Sequence, residues 1–87
     1  MVYNVNTINL EELTMSFGKR LNLMRKNHGE TAQNMADMLG IGLRSYRAYE
    51  SGDREPCYDN LIKIADHLDV SIDYLLGRDE FLAKHAD

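Results

Sequence analysis

TAQNMADMLGIGLRSYRAYESG, residues Thr31 to Gly52, decides the fold: its apolar, small and charged residues are spaced as two short helices joined by a tight turn. Thr31 is placed to cap the first helix of the pair. Met35, Ala36 and Leu39 fall on its inward side, and Gly40 supplies the stop. After the turn Gly40-Ile41-Gly42, a helix from Leu43 to Ser51 puts Tyr46, Tyr49 and Glu50 on one side and Leu43, Arg44, Arg47 and Ala48 on the other. One side packs, and the other is free to touch something.

Upstream, Val2, Tyr3, Val5, Thr7 and Ile8 favour an extended arm over a helix. Leu10, Leu13, Phe17, Leu21 and Met24 then recur at helical spacing behind a cap-like Asn9 and Glu12, which predicts one helix from Asn9 to Asn27, ended by Gly29. A break near Thr14 to Ser16 is the alternative, since both of those residues are competent caps. Downstream of Gly52 and the loop Asp53 to Pro56, a fourth helix is expected from Tyr58 to Leu68, with Tyr58, Leu61, Ile62, Ile64, Ala65 and Leu68 inward and Cys57 at the cap, where serine would serve better. Ser71 caps a fifth short helix, Ile72 to Leu76, which Gly77 ends, and the tail DEFLAKHAD adds a last frayed turn. No segment alternates as a core strand does. The expected fold is all-α, a compact bundle of five short helices in which the opening pair is the second and third. Residues 1–14 form an N-terminal arm and the start of a helix, 15–77 the domain, and 78–87 a C-terminal tail available for a dimer contact. Among the tyrosines, Tyr46 and Tyr49 belong in the core, with Tyr58 and Tyr74 half-buried.

The 87 residues leave room for one domain, and a hydrophobic share of 44% with a single proline fits an ordered globular chain. No apolar run approaches a membrane span and the N-terminus lacks the order of a signal peptide, so a cytoplasmic protein is expected; Cys57, the single cysteine, fits a reduced compartment. The net charge of -4 is unevenly distributed. Residues 16–54 carry a local +3, from Lys19, Arg20, Arg25, Lys26, Arg44, Arg47 and Arg54 against Glu30, Asp37, Glu50 and Asp53, while residues 55–87 carry -5.

Four blocks, FGKRLNLMRKNHG, then T-x-x-x-MA-x-x-LGI, then Y-x-x-YESG-x-x-x-P, then LIKIADHLDVSIDYLLG, resemble the lambda-repressor-like, Xre/Cro-type helix-turn-helix family in order and spacing from about Phe17 to Gly77. The resemblance implies that the third helix enters the major groove of double-stranded DNA while the second lies across the backbone. It also implies that Arg25 and Glu50 form a structural ion pair across the first and third helices. The third helix itself agrees with a reading role. Arg44 can bond a guanine O6 and N7 together, Leu43 can pack on a thymine methyl, Ser45 can reach a base edge or a phosphate, and Arg47 can reach either. Phosphate contacts are assigned to Thr31 and Gln33 at the start of the second helix and to Arg54 in the loop. The chain departs from the family pattern at Glu30, Ala32, Ala48 and Asp53, which thins the outer face.

These residues point to a small sequence-specific transcriptional regulator of phage-repressor type, expected to repress, acting as a homodimer on an inverted repeat. The dimer surface falls either on Leu75, Leu76, Phe81 and Leu82 or on the Val2 to Ile8 arm. The alternative is a helix-turn-helix protein-interaction module such as an antitoxin or antirepressor, supported by the acidic net charge and the thinned face. No cofactor or small-molecule ligand is evident. His28, His67 and His85 fall far apart, with no second ligand at metal spacing, and lone Cys57 is expected to be inert. The scattered carboxylates offer no convergent acid and base, so an enzyme is not expected.

Overall fold

The structure, a computed structural model, describes residues 10–78. The Asn9 cap, the Val2 to Ile8 arm and the tail carrying Phe81, Leu82 and His85 lie outside them. The described residues form α1 (Leu10–Leu13), α2 (Phe17–Asn27), α3 (Ala32–Leu39), α4 (Leu43–Ser51), α5 (Tyr58–Leu68) and α6 (Ile72–Leu75), with no strand among them. The all-α bundle is therefore as expected, with the first helix divided.

That division corrects the continuous helix from Asn9 to Asn27 in favour of the break. Thr14 folds its hydroxyl back to the Glu11 carbonyl at 2.9 Å, and Ser16 adopts an extended backbone and accepts from the Lys19 N–H to start α2. Two local caps thus compete with the one long helix, and a buried side chain decides between them. Arg20, fully buried, donates from Nε to the Met15 carbonyl at 3.2 Å, a group that a continuous helix would have consumed.

The core joins Leu21 and Met24 of α2, Met35, Ala36 and Leu39 of α3, Tyr46 and Tyr49 of α4, and Ile64, Ala65 and Leu68 of α5, closed by Val70, Tyr74 and Leu75. α4 packs against α2 and α3, while α5 packs against α3 and α6. The spacing i, i+3, i+4, i+7 from Leu61 to Leu68 carries α5 into this core. Tyr58, one turn earlier, is instead 75% exposed and lies outside the core cluster that Leu61 joins. Tyr74 is corrected the other way: it is 2% exposed, with the Arg20 guanidinium 4.8 Å above its ring and its hydroxyl donating to Glu12 Oε2 at 2.9 Å. Leu75 is buried within the monomer and is not available to a dimer surface, whereas its neighbour Leu76 is half-exposed.

Candidate nucleic-acid interface

The turn between α3 and α4 is built by backbone geometry. Gly40 sits in the left-handed region at φ 68°, and the following Ile41 N–H returns to the Ala36 carbonyl at 3.0 Å. Ile41, half-buried, packs against the core and sets where α4 begins. Tyr46 and Tyr49, both buried, then fix which side of α4 faces inward, their rings meeting edge to face with centroids 6.2 Å apart.

α2 holds α4 through one stripe, Gly18, Asn22 and Arg25, at helical spacing. At Gly18 the two backbones nearly touch: a Cβ there would lie 2.3 Å from the Glu50 carbonyl oxygen and 2.8 Å from that of Tyr49. Further along, Arg25 Nε donates to Glu50 Oε2 at 2.7 Å and Nη2 to Oε1 at 3.2 Å, while its Nη1 reaches the Glu30 carbonyl at 2.9 Å. Asn22 Nδ2 donates to Glu50 Oε1 at 2.7 Å, and the Tyr46 hydroxyl donates to Oε2. Burial alone would disfavour the Glu50 carboxylate, but the hydrogen bonds from Arg25, Asn22 and Tyr46 override it and hold the carboxyl below its ordinary range. Burial and the adjacent carboxylate push the Tyr46 phenol well up, so it stays a donor, and Glu50 keeps Arg25 charged.

With that side fixed, α4 turns Arg44 and Arg47 fully outward, with Leu43, Ser45 and Ala48 half-exposed between them. Neither arginine makes a hydrogen bond or ion pair among the described residues. Thr31 and Gln33 are exposed at the start of α3 and already engaged: Thr31 Oγ1 accepts from the Asn34 N–H at 3.0 Å, and Gln33 Nε2 donates to Asp37 Oδ1 at 2.9 Å. Thr31 thus serves as a cap with one hydroxyl hydrogen still to give. Arg54 is exposed in the loop after α4, its own N–H tied to the Ala48 carbonyl at 3.2 Å. Asp53, one of the departures from the family pattern, accepts from the Ser51 hydroxyl at 3.0 Å and so braces this loop against α4.

Sequence reasoning missed Gly18, Asn22, Arg20 and the pairing of Glu30 with His67, whose Nε2 lies 2.8 Å from Glu30 Oε1. The signal for Gly18 and Asn22 was present, since they precede Arg25 by seven and three positions on one helix face. Arg20 likewise falls on the apolar face of Phe17, Leu21 and Met24. Nothing in the spacing of Glu30 and His67 signals their contact. Among the described residues no three His, Cys, Asp or Glu side chains stand close enough to hold a metal, and no helix is long and apolar enough to cross a membrane.

The pattern of a helix-turn-helix domain family matches residues 18–78 of the chain. Over 64 residues the chain is 50% identical to the transcriptional repressor RstR of the cryptic phage CTXphi from Vibrio cholerae, a match covering 74% of this chain and 57% of that one. It is 42% identical over 71 residues to the HTH-type transcriptional regulator ImmR of Bacillus subtilis, covering 82% of this chain and 56% of the relative. The chain spans about half the length of these curated relatives. In three dimensions it is similar to a transcriptional regulator from Listeria innocua, with a TM-score of 0.67, 26% identity and coverage of 79% and 74% of the two chains. An anchored α4 behind a glycine turn, in a bundle matched across most of its length by such proteins, has one reading: the chain belongs to the Xre-like family of helix-turn-helix DNA-binding domains.

Proposed function

We propose that the chain binds double-stranded DNA sequence-specifically and acts as a small repressor of transcription, as a homodimer on an inverted repeat whose half-sites lie about one helical turn, ~34 Å, apart. The observation that carries this reading is the outer face of α4, where Arg44 and Arg47 stand exposed and without partners among the described residues while the opposite face is locked to α2 and α3. An arginine left unpaired on an anchored helix keeps its planar fork of donors available for a bidentate bond to guanine. Leu43 and Ser45 complete the base-reading set, and Thr31, Gln33 and Arg54 supply phosphate contacts that fix register. The repressor assignment takes its support from relatives such as RstR. Residues 15–77 act as the DNA-binding unit in the cytoplasm, without a cofactor and without catalysis. Self-association supplies the contacts that Ala32 and Ala48 do not, and of the surfaces considered within the described residues Leu76 is the one still exposed.

Selection of bound sequences from a random DNA pool, followed by fluorescence titration of the winners at several salt concentrations, tests this reading. A selected inverted repeat should bind far more tightly than random DNA, two protomers per site, with affinity falling steeply as salt rises. Equal binding of selected and random DNA at low salt would overturn the reading and favour a protein-interaction module.

A further inference from the structure

We infer that the outer flank of α2 is a docking site for an acidic, amphipathic segment of another protein, whose carboxylates pair with Lys19 and Lys26 while its apolar side chains cover Met15 and Leu23. The inference stands apart from DNA binding. Lys19, Asn22, Leu23 and Lys26 recur at i, i+3, i+4 and i+7, so they share one face of α2. Met15, just before the helix, and Glu50 of α4 complete the lining of an open cleft of about 390 Å³. Met15 and Leu23, both half-buried, supply its apolar part, and the exposed Lys19 and Lys26 supply its charge.

The chemistry of the occupant follows from what the cleft leaves unanswered. Neither lysine makes a side-chain hydrogen bond or ion pair among the described residues. Glu50, the carboxylate in the lining, does not answer them, because its oxygens are held by Arg25, Asn22 and the Tyr46 hydroxyl. Lys19 also stands in the first turn of α2, and that turn holds no acidic residue to face the positive end of the helix dipole. Two cations therefore flank apolar surface, and at one of them a carboxylate is favoured twice over. Seven residues along a helix set the two lysines about 10 Å apart on its axis. Glutamates seven apart on a partner helix have the same separation, with the positions three and four residues on left for leucines, an amphipathic face laid into a groove. A DNA backbone would answer the lysines and leave Met15 and Leu23 uncovered, whereas an acidic amphipathic segment answers both.

The probe is a synthetic helical peptide with glutamates at the first and eighth positions and leucines at the fourth and fifth, titrated into the isotope-labelled protein at low salt. The backbone N–H signals of Lys19, Asn22, Leu23 and Lys26 should shift and saturate, while those around Lys63 on α5 stay fixed. A peptide of the same composition in scrambled order should leave the cleft signals unmoved at the same concentration. Lys19→Ala and Lys26→Ala should each weaken binding about two- to fivefold, the size of one exposed ion pair. Both side chains are exposed, so neither substitution disturbs the core. Lys19→Glu combined with Lys26→Glu should abolish binding and accept instead the peptide with lysines in place of its glutamates. Cleft signals that do not move overturn the inference, as does equal binding of the scrambled peptide or an affinity that survives the double reversal. Phosphate contacts would carry a different signature: if Lys19→Ala and Lys26→Ala together shallow the dependence of log DNA affinity on log salt by about two, the lysines hold DNA and the inference falls.

Discussion

The Glu50 carboxylate on α4 meets the Arg25 guanidinium on α2 through two parallel contacts, Nε to Oε2 at 2.7 Å and Nη2 to Oε1 at 3.2 Å. A two-point contact fixes orientation as well as distance. Because Arg44 and Arg47 leave the same helix on its other side, any roll of α4 that redirected them would have to break this fork.

Replacing Glu50 with glutamine should therefore lower unfolding stability at pH 7 by about 1.5–3 kcal/mol, the range for a hydrogen bond to a charged group. The pH dependence has a definite sign. Burial opposes ionisation of Glu50, and the bonds from Arg25, Asn22 and Tyr46 outweigh it, so the folded carboxyl titrates below its unfolded value of 4.5. Its stabilisation is complete above that value and is lost as the pH falls through the folded one. Urea denaturation at pH 7 and at lower pH should show the gap between wild type and Glu50→Gln closing in acid; a gap that stays constant would remove Glu50 from this role.

Gly18→Ala tests the close approach of α2 and α4. Alanine is the better helix former by about 1 kcal/mol. Its Cβ, however, would meet backbone rather than a yielding side chain, 2.3 Å from the Glu50 carbonyl oxygen. Overpacking costs about 1–3 kcal/mol, so net destabilisation is expected, with weaker DNA binding in whatever folds. A urea midpoint equal to or above that of wild type would show that the helices can part without cost.

Much of this arrangement is legible in the sequence, and the exceptions have a common cause. α3, its turn and α4 follow from Thr31, Gly40, Gly52 and the apolar spacing of Met35, Ala36, Leu39, Tyr46 and Tyr49, because caps and periodicity are local. Tyr58 and Leu75 were misplaced because one apolar stripe says nothing about where its neighbours stop. In the sequence Arg20 reads only as part of a local positive charge, since only a fold that brings Glu12, Met15 and Tyr74 around it can receive a guanidinium in the interior. Glu30 counted as a defect because its partner lies 37 positions away on another helix. The reading residues of α4 could be placed on a common face but not assigned bases, since that depends on DNA.

Arg20→Met should be among the most damaging substitutions. Arg20 is fully buried and donates to the carbonyls of Glu12 at 2.6 Å, Met15 at 3.2 Å and Tyr74 at 3.0 Å, tying α1 and α6 to α2. Methionine fills the volume and leaves those acceptors without this donor, for which a loss of about 1–3 kcal/mol per buried carbonyl left unsatisfied is expected. Lysine cannot reproduce the fork and should rescue little. A thermal melt of Arg20→Met within a few degrees of wild type would contradict the assignment.

Cys57→Ser should stabilise the protein. Cys57 holds the cap position of α5 with an extended backbone, and its side chain makes no capping bond. Serine in the same backbone accepts from the first-turn amides, as Ser16, Thr31 and Ser71 do in α2, α3 and α6. A gain of about 0.5–1 kcal/mol is expected. Cys57 is exposed, so the exchange disturbs no core packing. Urea midpoints decide it, and a loss of stability would mean that the thiol has a packing role.

Arg44 and Arg54 separate reading from holding. Arg44 leaves the first turn of α4 with no partner among the described residues, and Arg54 sits on a loop braced by Ser51 and Asp53. Arg44→Ala should cost about 1–3 kcal/mol at one base pair of the selected site and relax preference there while leaving random DNA almost unaffected. Arg54→Ala should weaken selected and random sequences alike and shallow the dependence of log affinity on log salt by about one. Titrations of both variants against the selected site, single-base variants of it and random DNA distinguish the two outcomes. If Arg44→Ala weakened every sequence equally, the residue would be a phosphate contact, and base reading would pass to Leu43, Ser45 and Arg47.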